Sequence, residues 1–411
     1  MRTQCCIAGA GPAGMMLGFL LSRAGLDVVV LEKHADFFRD FRGDTIHPST
    51  MDVMWELGLL EEFLKVPHNE ERRLAAVIGD QTIPVADFSH VRAHCKFIML
   101  MPQWDFLDFL AAHAKAYPGF HLMMNAEVQN LTFEGGRVSG VRARTPAGML
   151  DVQADLVVAA DGRASTCRQR AGLRPKDLGA PIDVLWFRLS RRDGDPPQTF
   201  GRITGGHIFI SINRNTYWQC GLVIVKGAFQ EIRARGLDAF RSTIATSAPY
   251  LADRSQEIAS WDDVKLLTVT VNRLEQWYCD GLLCIGDAAH AMSPIGGVGI
   301  NLAIQDAVAA ANILADPLYD EKLTTADLAR VQARRLFPTR VTQAAQVLIQ
   351  RRVVSRVLQG IGDIKTPAIM KLFAWFPVLG RVPAHLVGVG VRPEHVKTPI
   401  RDPRRPRSSA Q

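Results

Sequence analysis

The chain has 411 residues, 47% of them hydrophobic and 22% charged. That is too long for one core and too apolar for a disordered or fibrous protein, so two or three packed units are expected. Of the net charge of +7, five basic residues against one acid leave +4 between Lys397 and Gln411. This Pro-rich stretch reads as a mobile basic tail. The body is near neutral, with no basic stripe interleaved with aromatics, which argues against nucleic acid. The seven cysteines, Cys5, Cys6, Cys95, Cys167, Cys220, Cys279 and Cys284, form no C-x-x-C pair, so neither a metal centre nor a disulfide framework is expected. A reducing cytoplasm suits them.

Gln4 to Ala8 reads as a strand, Gly9 to Gly14 as a tight turn, and Met15 to Arg23 as a helix closed by Gly25. Leu26 to Leu31 is an apolar strand ending in Glu32, which completes a βαβ unit with a parallel, buried sheet. Farther on, Asp105 to Ala116 reads as helix, Val138 to Arg144 and Met149 to Gln153 as a hairpin pair, and Asp155 to Ala159 as another buried strand. From Ile182 to Val225 alternating strands replace the βα rhythm. Helix is expected over Ala228 to Ala245, strand over Val264 to Val271 and Gly281 to Ile285, a long helix from about Ile300 to Leu314, and mostly helix after Thr324.

The expected fold is α/β, a Rossmann-like dinucleotide domain with an inserted, mainly antiparallel β substrate domain and a helical C-terminal region. The bounds are 1–180 for the first part, with some substrate-side strands near 72–100, 181–265 for the insert, 266–345 for the second part and 346–411 for the rest. Pro367 to Val391 is too interrupted by Lys371, Arg381, His385 and prolines to span a bilayer. It reads as a cap over a cavity, with a dimer surface or a peripheral membrane contact as alternatives. The apolar run near the start lacks the pattern of a signal peptide.

Gly9-x-Gly11-x-x-Gly14 follows a strand, opens a helix and has Glu32 about 20 residues on, the full context of a dinucleotide fingerprint. The first glycine permits the turn, the second lets backbone approach a pyrophosphate, and the third lets the helix pack on the strand. Free amides and the dipole of the helix N-terminus suit the phosphates, and Glu32 suits a ribose hydroxyl. Ala13 and Lys33 flank these groups and belong to the same expected contacts. Two further apolar strands end in Asp161-Gly162 and Gly286-Asp287. Three acids at strand ends suit a polyhydroxyl ligand, although each alone is also an ordinary turn or cap residue. In Gly286 to Asn301, a Pro294-stiffened loop with Gly297 and Gly299 lets backbone lie flat on a large ligand before the next helix begins.

These three segments, in this order, resemble the FAD-dependent aromatic hydroxylases typified by para-hydroxybenzoate hydroxylase. The resemblance implies FAD as cofactor, with Glu32 on the adenosine ribose, Arg42 near the pyrophosphate, Gln103 by the ribityl chain and Asp287 on a ribityl hydroxyl. It places Pro294 beside the ring and the Gly299, Ile300 and Asn301 amides at its carbonyl. Asp161 and Gly162, with Arg163 and Arg168, are associated with flavin and reduced nicotinamide. With no second glycine fingerprint, NADH or NADPH would visit rather than reside. The implied reaction is hydroxylation of a phenolic or polycyclic aromatic by dioxygen through a flavin C4a-hydroperoxide, in a monomer or homodimer. Pro294, His47 and Tyr217 are the expected catalytic group, and His47, Arg214, Tyr217 and Trp218 the expected substrate side, with core packing an equal reading for Trp218. His290 reads as structural rather than as a base. The benzoate-holding residues of the type enzyme are not matched, so a larger, more apolar substrate is expected. An FAD-dependent reductase or dehydrogenase of an isoprenoid or quinone-like substrate is the competing enzyme. A halogenase lacks its G-W-x-W-x-I-P element here, and a non-catalytic escort protein would not need the intact flavin loop.

Overall fold

The computed structural model describes residues 1–38, 45–78, 81–196, 200–204, 206–358 and 380–401. Arg42 and most of the stretch from Pro367 to Val391 lie outside these, as does the tail beyond Arg401.

The strand Arg2–Ala8 pairs in parallel with Val28–Leu31 on one side and with Gly148–Ala159 on the other. Register brings Ala8 level with Leu31 and with Ala159, and Ala159 level with Cys284 of the parallel strand Leu282–Cys284. The carboxyl ends of four neighbouring strands therefore share one edge. Because the chain leaves the central strand first to one side and then to the other, a crevice opens at that edge, where open α/β sheets bind ligands. Helices Pro12–Arg23, Gln103–Ala114 and Gly299–Tyr319 cover this sheet. Both faces being buried, its strands read as unbroken apolar runs.

The expected strands Met149 to Gln153 and Asp155 to Ala159 are one strand. Its first half is a hairpin partner of Arg137–Thr145 and alternates in burial, whereas its second half enters the parallel sheet and is buried throughout from Leu156. The change of period mimicked a break. The helix expected over Ala228 to Ala245 is two, Phe229–Ala234 and Leu237–Ser247, because Gly236 sits at φ +91, outside helical space. The strand expected over Val264 to Val271 is limited to Lys265–Thr268, and the long helix runs on from Leu314 to Tyr319.

A second sheet runs in the order Lys265–Thr268, Ile182–Ser190, Tyr217–Val225, His207–Asn213, Phe200–Thr204, Arg73–Ile78 and Gln81–Asp87. All its pairs are antiparallel except Phe200–Thr204 with Arg73–Ile78. Its outer face buries Phe187, Phe209 and Trp218 against Phe240 and Ile244 of helix Leu237–Ser247. The inner face presents Trp186, Val184, Ile208, Ile210 and Ile212, packed with Ile295, Val347 and Val354. Ile295 belongs to the glycine-rich loop, so the inner face looks onto that loop. Among the described residues, one stretch, Ile295–Tyr319, is long and apolar enough to cross a membrane, but 83% of its most apolar window is buried inside the protein. That marks a core helix.

Candidate functional site

The first two turns of the chain build a cradle from backbone. Gly9 has φ +98, and a side chain there would lie 2.5 Å from the Ala160 carbonyl oxygen. At Gly14 a Cβ would fall 1.9 Å from the Gly9 oxygen, so helix Pro12–Arg23 can start this close to the strand only with glycine. Gly11 differs, for a Cβ there would meet no protein atom within 4 Å. Its open side is the space that an incoming phosphate needs. Glu32 is buried and receives hydrogen bonds from the amides of Ala10 at 3.0 Å and His34 at 3.2 Å. Those bonds fix its carboxylate at the rim of the crevice, next to exposed Lys33.

Asp161 accepts from the Cys167 amide at 3.1 Å through Oδ2, while its buried Oδ1 has no partner among the described residues. Gly162, at φ +82, turns the chain away. Arg163 donates to Asp287 at 3.0 Å, and both remain about one-third exposed. Arg168 is buried and engaged with the carbonyls of Ala288 and Arg163 at 2.9 and 2.6 Å. It braces the two strand-end turns against each other. Arg163 and Arg168 thus tie the turn after Asp161 to the turn that holds Asp287, at the edge that Glu32 also occupies.

Behind this edge lies an ion network inside the protein. Asp306, fully buried on helix Gly299–Tyr319, accepts from the Gly286 amide at 3.0 Å, from His290 Nε2 at 2.6 Å and from Arg335 at 3.0 Å. Burial pushes its carboxyl up, but His290 and Arg335 outweigh that and hold it below the usual range. Arg335 reaches Glu394 at 3.3 Å. His290 also packs against the Trp277 ring. It is a structural hydrogen-bonder.

The glycine-rich loop is held on its other side by Asn301. Its Oδ1 accepts from the His47 amide at 2.9 Å and the Thr50 hydroxyl at 2.7 Å, and its Nδ2 donates to the Thr45 carbonyl at 3.3 Å. Thr45 Oγ1 donates to the Gly297 carbonyl at 2.9 Å, so close that a Cβ on Gly297 would sit 2.2 Å from it. Pro294 opens the short turn Ile295–Gly297, and Gly299 and Ile300 begin the long helix. Gln103 begins helix Gln103–Ala114, one residue after Pro102.

His47 is fully buried. Its Nδ1 lies 2.7 Å from the Val387 carbonyl oxygen, which can only accept, so Nδ1 carries the proton and Nε2 is bare. Nε2 has no partner among the described residues, and burial pulls the ring's pKa down to about 4 despite the Val387 bond. The imidazole is a neutral acceptor. Val387 belongs to helix Arg381–Gly388, which packs against strand Gln81–Asp87, and its side chain packs against Met292, Val298 and Leu302. This helix joins strand Gln81–Asp87 of the second sheet to the loop.

Tyr217 and Trp218 point to opposite faces. Trp218 is fully buried in the outer core and donates to Asp195 at 2.8 Å, the packing alternative of the sequence analysis and away from the loop. Tyr217 is half-buried on the other face, with Arg188 4.9 Å over its ring. Arg214 donates to Gln219 at 3.2 Å. Burial and Asp108 raise the Asp105 carboxyl while Arg214 opposes them, which puts Arg214 within electrostatic reach of the helix that Gln103 begins.

Sequence reasoning did not single out Asn301's partners Thr45 and Thr50, Asp306, or three glutamines, Gln343, Gln346 and Gln350. All three are buried and bonded to residues 272–295. Their spacing of three and four puts them on one helix face, which is the signal that was available.

Comparison with known proteins decides the ligand class. The model of the family described as FAD binding domain matches residues 2–345. This chain belongs to that family. The glycine cradle, the open side of Gly11 and the unpaired Asp161 oxygen fit FAD. The chain is 33% identical over 386 residues to 6-methylpretetramide 4-monooxygenase of Streptomyces rimosus, covering 93% of this chain and 92% of that protein. It is 27% identical over 386 residues to digeranylgeranylglycerophospholipid reductase 2 of Methanothermobacter thermautotrophicus, covering 90% and 91%. Among solved structures, p-nitrophenol 4-monooxygenase of Pseudomonas putida DLL-E4 superposes with a TM-score of 0.75 at 17% identity, covering 94% of this chain and 96% of that one. At that identity the match establishes the fold, and it is the α/β FAD-binding fold expected.

Proposed function

We propose that this chain is an FAD-dependent monooxygenase that uses NADH or NADPH and dioxygen to hydroxylate a phenolic or polycyclic aromatic compound. The observation that carries this reading is the 33% identity to a monooxygenase across nearly the whole of both chains. The site supports it. The glycine-rich loop faces an apolar sheet face of Trp186, Ile208, Ile210 and Ile212, and a neutral histidine in place of a paired cation suits an uncharged ring.

Gly9, Gly11, Ala13 and Gly14 would hold the pyrophosphate, with Glu32 and Lys33 at the adenosine end and Arg42 beyond the described residues. Gln103, Asp161, Gly162 and Asp287 would line the ribityl chain, with the carboxylates accepting from its hydroxyls. Pro294, Gly297, Gly299, Ile300 and Asn301 would lie along the ring, where the start of helix Gly299–Tyr319 steadies negative charge. FAD, when bound, supplies the redox chemistry with nicotinamide and dioxygen. The protein positions the aromatic, excludes water with the inner sheet face and helix Arg381–Gly388, and offers His47 Nε2 to a substrate hydroxyl. Tyr217 and Arg214 stand at the corner of that face, and Trp218 is left to packing. Arg163, partly exposed beside Asp287, is the residue left to meet the nicotinamide. Seven cysteines, all as thiols, suit a cytoplasmic site.

A reductase is the second reading, since one relative bears that name, at lower identity. Oxygen separates the two. The purified holoenzyme, given NAD(P)H, a panel of phenols and polycyclic ketones and labelled dioxygen, should yield product carrying one labelled oxygen. Label drawn only from water, or full turnover without oxygen, overturns the proposal.

A further inference from the structure

The loop from Ala291 to Ile295 leaves helix Thr325–Ile349 no gap to fill with apolar side chains, because three of its carbonyls face that helix. Gln346 answers with both ends of its amide. Its Oε1 accepts from the Ser293 amide at 3.1 Å, and its Nε2 donates to the carbonyls of Ser293 at 3.0 Å and Ile295 at 2.9 Å. One turn earlier, Gln343 Nε2 donates to the carbonyls of Ala291 at 3.0 Å and Asn272 at 2.8 Å, while its Oε1 accepts from Arg273 at 2.7 Å. One turn later, Gln350 Nε2 donates to the Ser293 hydroxyl at 2.7 Å. None of the three is more than 4% exposed.

This spine brackets Pro294. Proline has no amide hydrogen, so a clamp on its segment must grip the residues on either side, and Gln346 grips both. The spine also connects two surfaces. Gln350 opens a π-helical turn, Gln350–Val354, a form that recurs at functional sites. Val354 at the end of that turn packs on the inner face of the second sheet with Trp186. Buried amides cost free energy unless their polar atoms are matched. The side-chain atoms of the three glutamines are matched except Gln350 Oε1, which has no partner among the described residues, and apolar side chains in their place would leave the loop carbonyls bare.

We infer that Gln346, with Gln343 and Gln350 on either side, is a positioning residue that sets where the ring of FAD lies by fixing the loop carrying Pro294. The inference rests on the FAD site proposed above. An anchor displaced by about 1 Å is enough to spoil a reacting geometry, and the anchor here sits on a helix remote from the glycine fingerprint.

The test uses the full-length protein and its Gln346→Met variant, which keeps length and volume but makes no hydrogen bond. Four quantities are read: the dissociation constant for FAD by fluorescence titration of apoprotein, the flavin absorption band and the two-electron midpoint potential of the holoprotein, and hydrogen exchange at residues 291–297. The expected result is a rise of about tenfold in the dissociation constant, from loss of the three hydrogen bonds that Gln346 makes to the loop. A shifted flavin band and potential, and faster exchange at Ser293, should accompany it. Unchanged affinity, band and potential overturn the inference, even if the melting temperature falls, since a structural role alone would move only that. Where Gln346→Met does not fold, Gln350→Met removes the single bond to the Ser293 hydroxyl and should give a smaller change of the same kind, with no change again overturning it. If the wild-type apoprotein does not take up FAD, the site reading itself fails, which is distinct from a wild-type that binds FAD and a variant that binds it equally well.

Discussion

A methyl group added at Gly11 would touch nothing in the protein, whereas the same methyl at Gly14 would be driven into backbone 1.9 Å away. The two substitutions therefore separate folding from cofactor binding. Gly11 has φ −70, open to any residue, and replacing glycine by alanine at a helix N-cap costs below about 1 kcal/mol. Gly14→Ala must instead push the helix start off the Gly9 carbonyl, an overpacking cost of about 1–3 kcal/mol or more. With FAD the order changes, because the methyl of Gly11→Ala occupies the approach of the pyrophosphate. Each charge-assisted bond from an amide to phosphate is worth roughly 1.5–3 kcal/mol, so losing one weakens FAD roughly ten- to a hundredfold. Thermal melts of the apoproteins and fluorescence titration with FAD measure the two effects separately. Gly11→Ala should melt within a few degrees of wild type and bind FAD poorly. Native affinity in Gly11→Ala, or an apoprotein as damaged as Gly14→Ala, would refute the assignment of that open side to the phosphates.

Asp306→Asn keeps the shape of the side chain but removes the charge between His290 and Arg335, so it should cost about 3–5 kcal/mol in urea unfolding. Because the folded carboxyl lies below its unfolded value, its contribution is complete above the ordinary carboxylate range and disappears as pH falls through the folded value. The acid limb of wild-type stability should therefore be flatter in the variant. His47 loses stability in the same direction, here because burial disfavours the charged ring: the unfolded ring takes its proton near 6.5 and the folded ring only at about 4. Stability present above 6.5 then falls as pH drops from 6.5 to about 4, by about 3 kcal/mol for a difference of some 2.5 units. His47→Gln should abolish that slope, and an unchanged melting profile over this window would show that the ring is not held neutral.

The parts of the site legible in the sequence are those whose physical demand is local. Gly9, Gly11 and Gly14 answer to a turn, an approach and a packing contact within six residues, and Glu32, Asp161 and Asp287 mark strand ends that an apolar run announces. The structure adds that parallel pairing levels those ends, which register alone decides. Tyr217 and Trp218 show where local reading stops. Period two dictates that neighbours face opposite sides of a sheet, but which side meets the loop depends on where helix Leu237–Ser247 packs, and that helix took the side of Trp218. The glutamines lie farther still from local logic. Gln346 meets residues 51 to 53 positions away, and in sequence a polar residue on a helix most often marks a face turned to water. Here the helix buries Leu328 and Val331 near its start, but its later turns point uncharged amides inward and leave Phe337 and Leu348 exposed. Three glutamines on one face beside an exposed apolar stripe therefore signal a helix gripping backbone, and the partner of such a face must be a segment that offers carbonyls instead of side chains. The glycine- and proline-rich loop proposed to carry the flavin is that kind of segment, and the anchor proposed for it accordingly belongs to a distant helix rather than to the loop's own neighbours.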